Sequence, residues 1–392
     1  MANNNPRIVR RGEGDLNLVY RPLRFSELYG PTRKAAVQFY NWLVNYDRTL
    51  TKHSFLISGE SGAGKTTLAL IISLALNCED PQPNPRTGDE VEPCLECSSC
   101  KRILRGAMNQ SDDSPVKFYN SPSIDKDRIR WIVENEIKGP KPVYGARVVV
   151  TVFDEAHGLT WDQRQPLLIT LEDLPKYSYV FFLTSRPEKF RQLKDGEDNA
   201  LYSRIGIVDL VPWTEQHIYE LLRDIGIVEH SLKRAPLIDE KALRYLAQLG
   251  NGNPRTSISA LDVILNGVGN SVEMITLAKV KEFYPGIVDL EANDTSEEMQ
   301  DVFRAFYNND LKLALQRLEE MEKKRFRADN IKYSLNKFLR NRVYQYARQG
   351  NQLKLQEFSQ KLKAFSVTAF ARDGEDFSNL VAGVINALTL PN

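Results

Sequence analysis

The sequence predicts a parallel α/β sheet followed by all-helical domains, and three observations carry that reading. The first is Phe55-Leu-Ile-Ser-Gly-Glu-Ser-Gly-Ala-Gly-Lys-Thr-Thr67: an apolar run, a glycine-rich turn and a helical run in succession. The second is Arg147-Val-Val-Val-Thr-Val-Phe-Asp-Glu-Ala-His157, a β-branched run that ends in two carboxylates. The third is a change of pattern after Thr214, where apolar residues begin to recur at helical spacing.

Bulk properties bound the possibilities. At 392 residues the chain is long enough for two or three domains. A hydrophobic content of 42% and a charged content of 26% are those of a soluble globular protein. The net charge of +1 gives no global field for nucleic acid, so any DNA site must be a local patch. No apolar run reaches the length of a membrane span, and Met1 to Arg11 is too polar for a secretory signal. The expected compartment is reducing cytoplasm, and the cysteines are read accordingly.

Residues 1–17 are expected to be a flexible N-terminus. Pro22 bars a helix from the segment around Tyr20-Arg21-Pro22. Its aromatic and apolar residues have two open readings: a cover for the adenine ring of a nucleotide, or ordinary packing of a first segment. Lys34 to Tyr46 reads as an amphipathic helix leading to the strand Phe55-Leu56-Ile57. Gly59, Gly64, Lys65 and Thr66 then fit the phosphate-loop pattern G-x-x-x-x-G-K-[ST]. Along Gly59-Glu60-Ser61-Gly62-Ala63-Gly64, backbone N–H groups can curl around a phosphate, and the helix starting near Thr67 adds positive potential there. Lys65 would reach the β- and γ-phosphates, and Thr66 would hold Mg²⁺.

Four cysteines follow, Cys78, Cys94, Cys97 and Cys100, spaced C-x15-C-x2-C-x2-C. Four thiolates satisfy tetrahedral Zn²⁺ with no open position, which predicts a structural clip rather than a catalytic metal. Free thiols or a redox pair are the bland alternatives. Val116 to Asn120 reads as a short strand and Ile124 to Ile137 as a helix with Asp125 near its start. The cations Lys126, Arg128 and Arg130 face either phosphates or solvent. Asp154 and Glu155 end a buried strand at its C-terminal edge, where open α/β sheets bind ligands. Asp154 would act on Mg²⁺ through its water shell, and Glu155 would polarise an attacking water as general base. Tyr179 to Ser185 is another buried strand, whose Thr184 either orients that water or caps the strand end. Arg204 ends a short helical turn and is read either as a cation for a neighbouring subunit's γ-phosphate or as a surface arginine.

Beyond Thr214 the pattern predicts helices over Glu215 to Gly226, Asp239 to Gly250 and, after Asn251-Gly-Asn-Pro-Arg255, as far as Asn266. Arg255 lies where it can reach back toward a nucleotide. A break follows at Tyr284 to Asn293, and Thr295 to Leu390 is helical. The basic cluster Lys323 to Arg327 reads as a nucleic-acid contact or, the better reading, a solvated helix end.

In order, Tyr20-Arg21-Pro22 with Phe25, Glu27 and Gly30, the phosphate loop, the four cysteines, Ile124-Asp125 with Arg128, Asp154-Glu155-Ala-His157, Leu168 to Glu172, Thr184, Ser203-Arg204 and Pro254-Arg255 resemble the ATPase subunit of bacterial DNA polymerase clamp loaders, the gamma/tau type of AAA+ protein. The resemblance spans about residues 18 to 265. It implies an AAA+ ATPase domain over 18–212 with a zinc insertion at 78–100, a helical lid over 213–284 and a helical collar over 285–392 that serves oligomerisation. It implies ATP held by Tyr20, Arg21, Pro22, the stretch Gly59 to Thr67 and Arg255. Thr184 matches the first sensor, Arg255 the second and Arg204 the trans-acting arginine finger. Ser203-Arg204-Ile205 departs from the family's Ser-Arg-Cys, and Gly30-Pro31 from its usual Gly-Gln. The gap after Cys78 is longer than the family's, and the chain stops soon after the collar. These departures fit a divergent or a phage-encoded member, acting in the cytoplasm, that of a host if phage-encoded.

The implied activity is ATP hydrolysis that opens a sliding clamp and places it on primer–template DNA. The implied partners are other clamp loader subunits, most simply in a pentamer, the clamp, DNA and a polymerase holoenzyme, with no membrane. Arg128 and Arg164 are the candidate DNA-backbone contacts. Another AAA+ DNA-remodelling ATPase and a nucleotide-binding scaffold subunit are the rival readings. The zinc cluster argues against the first, and the filled catalytic positions against the second.

Overall fold

The computed structural model describes residues 6–45, 53–84, 91–109, 113–139, 146–191, 204–250, 252–268, 273–284, 297–324, 326, 328–349, 351–369 and 377–389. Ser203, Tyr46, Arg325, Arg327 and most of the break after Tyr284 fall outside them. The chain forms two compact units. One comprises residues 1–235 and 252–270, the other 236–251 and 271–392.

The first unit opens with α1 (Leu16–Val19) and α2 (Gly30–Asn45), then β1 (Ser54–Ser58) and α3 (Lys65–Asn77). A two-stranded ribbon, β2 (Gln82–Pro83) with β3 (Val91–Glu92), and α4 (Ser98–Asn109) carry the cysteine region. After these come β4 (Val116–Asn120), α5 (Lys126–Ile132, prolonged by a π-helical turn, Val133–Ile137), β5 (Val149–Asp154), α6 (Trp161–Glu172), β6 (Ser178–Thr184), α7 (Pro187–Arg191), β7 (Gly206–Asp209) and α8 (Glu215–Ser231). The second unit holds β8 (Leu237–Ile238) and α9 (Glu240–Leu249), after which α10 (Pro254–Val268) returns to the first. β9 (Met274–Ile275), α11 (Leu277–Phe283), α12 (Glu297–Asn308), α13 (Leu311–Lys323), α14 (Ala328–Gln349), α15 (Gln352–Ala369) and α16 (Phe377–Leu388) complete the second unit.

The five main strands form one parallel sheet in the order β4-β5-β6-β1-β7. Alternate side chains of these strands feed two cores, as the period of a strand requires. Phe55, Ile57, Val150, Val152 and Phe181 pack with α2, α3 and α4, whereas Leu56, Phe153, Val180 and Phe182 pack with α5 and α6. Register brings the chemical residues to one edge. Ser58 pairs with Thr184 and with Asp209, and Asn120 pairs with Asp154, all at the C-terminal ends of their strands. Sequence reading located four of these strands. It missed β7, a four-residue strand that begins on a glycine. It also missed α4 and the parallel pair β8–β9.

The expectation of a flexible N-terminus needs correcting for residues 6–17. Ile8 and Leu16 are buried, the Arg7 amide donates to the Asp224 carboxylate (3.0 Å), and Arg10 pairs with Glu229. Asp224 and Glu229 are both buried on α8, so the segment supplies partners that buried carboxylates require. The expected lid helices are shared between the units: α8 and α10 pack in the first, α9 and α11 in the second. In the second unit α12 to α16 surround a core that includes Phe306, Leu318, Leu335, Phe358 and Phe365. Among the described residues no helix is long and apolar enough to cross a membrane.

Candidate nucleotide site

A cavity of about 500 Å³ opens at the C-terminal edge of the sheet, within the first unit. Its floor is the loop between β1 and α3, represented by Ser61, Gly62 and Gly64, with Lys65, Thr66 and Thr67 from the first turn of α3. Asp154 and Glu155 enter it from β5, and Pro254 and Arg255 from the start of α10. Tyr20, Arg21, Pro22 and Tyr29 form a further wall. The described structure therefore gathers in one place residues that lie as far apart in sequence as Tyr20 and Arg255.

The loop conformation is glycine-dependent at two positions. Gly62 has φ of +78° and Gly64 φ of +98°, both in the left-handed region that L side chains disfavour. A Cβ on Gly62 would lie 1.9 Å from Asn253 Oδ1. That oxygen accepts the Arg255 amide (3.0 Å) at the start of α10. The bare backbone of Gly62 thus admits the turn from which Arg255 projects. Lys65 Nζ donates to the carbonyls of Gly59 (2.9 Å) and Glu60 (3.0 Å), so the loop folds around its own lysine. Burial pushes the Lys65 ammonium below its ordinary value, with Glu155 and Asp154 opposing that shift. Thr66 Oγ1 donates to Asp154 Oδ2 (3.2 Å), which sets a hydroxyl and a carboxylate as neighbours. Arg21 Nε donates to Thr67 Oγ1 (3.4 Å), and burial together with the charge of Arg255 lowers its guanidinium. Two arginines and a lysine concentrated here favour an anion.

Thr184 and Arg204 are placed differently. Thr184 is fully buried at the end of β6, where its Oγ1 accepts the Arg186 amide (3.0 Å) and lies 3.0 Å from His157 Nδ1. Arg204 stands before β7 and pairs with Glu172 at the end of α6. Sequence reading also missed pocket residues. Trp213 lines the cavity and donates from Nε1 to Thr32 Oγ1 (3.0 Å), which donates in turn to the Ala63 carbonyl of the loop (3.0 Å). No spacing rule marks a tryptophan before a helix cap as a pocket residue.

The assignment of Arg164 to DNA needs correcting. Its side chain is only 2% exposed, and its guanidinium donates to the carbonyls of Leu159 (2.9 Å) and Phe190 (2.8 Å) while lying over the Phe190 ring. A phosphate cannot reach it. Arg128 is exposed, with its guanidinium 4.1 Å from the centre of the Trp131 ring.

Away from the cavity, Cys78, Cys94, Cys97 and Cys100 bring their sulfurs within 4.8 Å of one another. Backbone amides point at these sulfurs: that of Cys94 at Cys78 (3.2 Å), of Cys97 at Cys94 (3.3 Å) and of Cys100 at Cys97 (3.4 Å). Burial pushes the Cys78 and Cys100 thiols up. At Cys97 burial is outweighed by donors, first the Cys100 amide, and the thiol falls to about 7. Four converging thiols that receive amide donors fit a tetrahedral thiophilic cation.

A parallel sheet in this order, with a phosphate loop on β1 and an Asp-Glu pair on β5 two strands away, defines a P-loop nucleotide-binding protein of the AAA+ type. The family model described as DNA polymerase III, delta subunit, matches residues 35–192. The chain is 29% identical to DNA polymerase III subunit gamma/tau of Mycoplasma genitalium, over 77% of this chain and 44% of that protein. It is 26% identical to the Bacillus subtilis subunit tau, over 73% of this chain and 47% of that protein. With the subunit gamma of Buchnera aphidicola (Schizaphis graminum) identity is 27%, over 57% and 54%. Relatives of this kind recur over most of the chain, which is thus similar to the gamma/tau subunits of DNA polymerase III. The chain spans about half the length of the curated relatives it matches. Among solved structures, the Thermotoga maritima RuvB Holliday junction branch migration motor aligns with a TM-score of 0.45 at 18% identity, covering 80% of this chain and 85% of that one.

Proposed function

We propose that the chain is an ATP-hydrolysing clamp loader subunit, which binds ATP in the cavity at the sheet edge and uses it to open a sliding clamp on primer–template DNA. The observation that carries this reading is the convergence of Lys65, Thr66, Asp154, Glu155 and Arg255 on one cavity. A scaffold subunit has no need of a lysine, a hydroxyl, two carboxylates and an arginine around one cavity. Tyr20, Pro22 and Tyr29 suit the base, the loop amides and Lys65 the phosphates, and Glu155 the water. Thr66 and Asp154 would hold Mg²⁺, which when bound neutralises phosphate charge. Cys78, Cys94, Cys97 and Cys100 would hold Zn²⁺ as a structural clip. Thr184 acts as a sensor of the γ-phosphate, and Arg204 serves a neighbouring subunit's site. The collar, over 285–392, joins subunits, and the lid over 213–284 reports nucleotide to them. Arg128 touches the DNA backbone, where contacts position without reading sequence.

The test is steady-state ATP turnover by the protein alone, then with candidate partner subunits, clamp and primed DNA. Strong stimulation only when clamp and primed DNA are both present supports clamp loading. Turnover indifferent to both moves the assignment to another DNA-remodelling ATPase. ATP binding without turnover in the full mixture moves it to a scaffold subunit.

A further inference from the structure

The turn that follows β5 carries a residue to which the mechanism above gives no part. Glu155 has a left-handed backbone (φ +51°), and the helical turn Ala156–Gly158 after it folds His157 back against the end of β6. His157 Nδ1 then lies 3.0 Å from Thr184 Oγ1 and 3.3 Å from Glu155 Oε2. Ser185 Oγ donates to the same carboxylate oxygen (3.3 Å), and the Arg186 amide donates to the Thr184 hydroxyl (3.0 Å). One ring nitrogen thus stands between the carboxylate and the hydroxyl that the functional reading assigns to the attacking water and the γ-phosphate.

We propose that His157 is a positioning residue whose Nδ1–H is shared between Glu155 and Thr184, tying the carboxylate beside the cavity to the buried end of β6. The inference rests on the reading that Glu155 and Thr184 serve phosphoryl transfer. An ionised carboxylate only accepts, so a bare Nδ1 would face it lone pair to lone pair. Thr184 would then have to spend its one hydrogen on that nitrogen. With the hydrogen on Nδ1, both neighbours accept from it. Thr184 Oγ1 then accepts twice, from Arg186 and His157. Burial holds the imidazole below its ordinary value, with Arg186 and Lys189 adding to that effect and Glu155 opposing it. The ring is therefore neutral near pH 7, and the choice between its two nitrogens is a real one.

The experiment has two arms on the full chain. In the first, ATP turnover is compared in His157→Ala, His157→Asn and His157→Gln. An asparagine amide nitrogen reaches the place of Nδ1, whereas a glutamine amide reaches that of Nε2. A lost hydrogen bond to a charged partner predicts a fall in kcat of about tenfold or more in the Ala and Gln variants, with KM for ATP unchanged. The Asn variant is expected to recover most of that loss. Rescue by Gln and not by Asn, or full kcat in the Ala variant, overturns the proposal. The second arm reads the tautomer directly by nitrogen-15 NMR of histidine-labelled protein, with the His157 signals assigned by their absence from His157→Asn. A hydrogen on Nδ1 is expected, and a hydrogen on Nε2 alone overturns the proposal. This arm needs no turnover. A wild-type chain that hydrolyses no ATP even with partner subunits, clamp and primed DNA, yet shows Nδ1–H, overturns the functional reading and the catalytic part of the inference, while the placement of the hydrogen stands.

Discussion

Gly62 is where single-residue chemistry bears most directly on the site. Its φ of +78° and the 1.9 Å separation between a Cβ there and Asn253 Oδ1 leave no space for a side chain. The same Asn253 oxygen receives the Arg255 amide, so Gly62→Ala must displace the phosphate loop, the α10 cap or both. Strain of this kind is worth about 1–3 kcal/mol. The expected outcome is a roughly tenfold or greater loss of ATP affinity in a fluorescent-nucleotide titration, by the conversion of about 1.4 kcal/mol per decade. Unchanged affinity would show that the loop and the α10 cap move independently. The two arginines once paired as DNA contacts separate at this scale too. Arg164→Ala strips two buried carbonyls of their donor, and denaturant unfolding is expected to show a loss of about 2–4 kcal/mol. Arg128→Ala removes an exposed side chain and should stay within about 0.5 kcal/mol of wild type. Equal stabilities would contradict the buried role of Arg164. In sequence the two look alike, because burial depends on what packs above a helix and not on the residue itself.

At the scale of elements, the cysteine region is the clearest case of a segment that cannot hold itself together. β2 and β3 are two residues each, yet Cys78, Cys94 and Cys100 belong to the same core as α3 and β1. If Zn²⁺ joins the sulfurs, its removal should loosen that core and lower the Tm by several degrees, and Cys97→Ser should do the same. Metal analysis of the purified protein, followed by melting with and without a strong chelator, checks both. One zinc per chain with a chelator-insensitive melt would separate the metal from stability. What was legible at this scale divides along physical lines. β1, β5 and β6 were readable because buried parallel strands are continuous apolar runs, and the phosphate loop because its chemistry fixes its spacing. β7 was not readable, since four residues beginning on Gly206 become a strand only by pairing with β1. The segment 6–15 was not readable either. Its polar residues look unstructured until Asp224 and Glu229 on α8 are found buried and in need of partners. The site itself was legible where motifs are local and illegible where, as at Trp213 and Thr32, the contact exists only after folding.

At the scale of the whole molecule, the cavity and Arg204 pose a question of geometry. Lys65, Asp154, Glu155 and Arg255 line the cavity, but Arg204 does not, and it pairs with Glu172 on the surface of the first unit. An arginine that serves the reaction from there must serve another copy's cavity. Two inactive variants should then complement one another. Lys65→Ala is expected to lose ATP binding while keeping its arginine, and Arg204→Ala to bind ATP while losing turnover stimulated by clamp and primed DNA. The loss from removing such an arginine is roughly a thousandfold or more in phosphoryl-transfer enzymes. In mixed assemblies, sites of the second variant will sometimes face the intact arginine of the first. With equal amounts and random order, about one interface in four has that arrangement, so stimulated turnover should recover to about a quarter of wild type. The measurement is stimulated ATP turnover across a series of mixing ratios at fixed total protein, with ATP binding by each variant checked alone. A maximum near equal amounts places Arg204 in its neighbour's reaction. A straight line between two inactive end points means that Arg204 acts within its own chain, and full stimulated turnover by Arg204→Ala alone means that it serves no site.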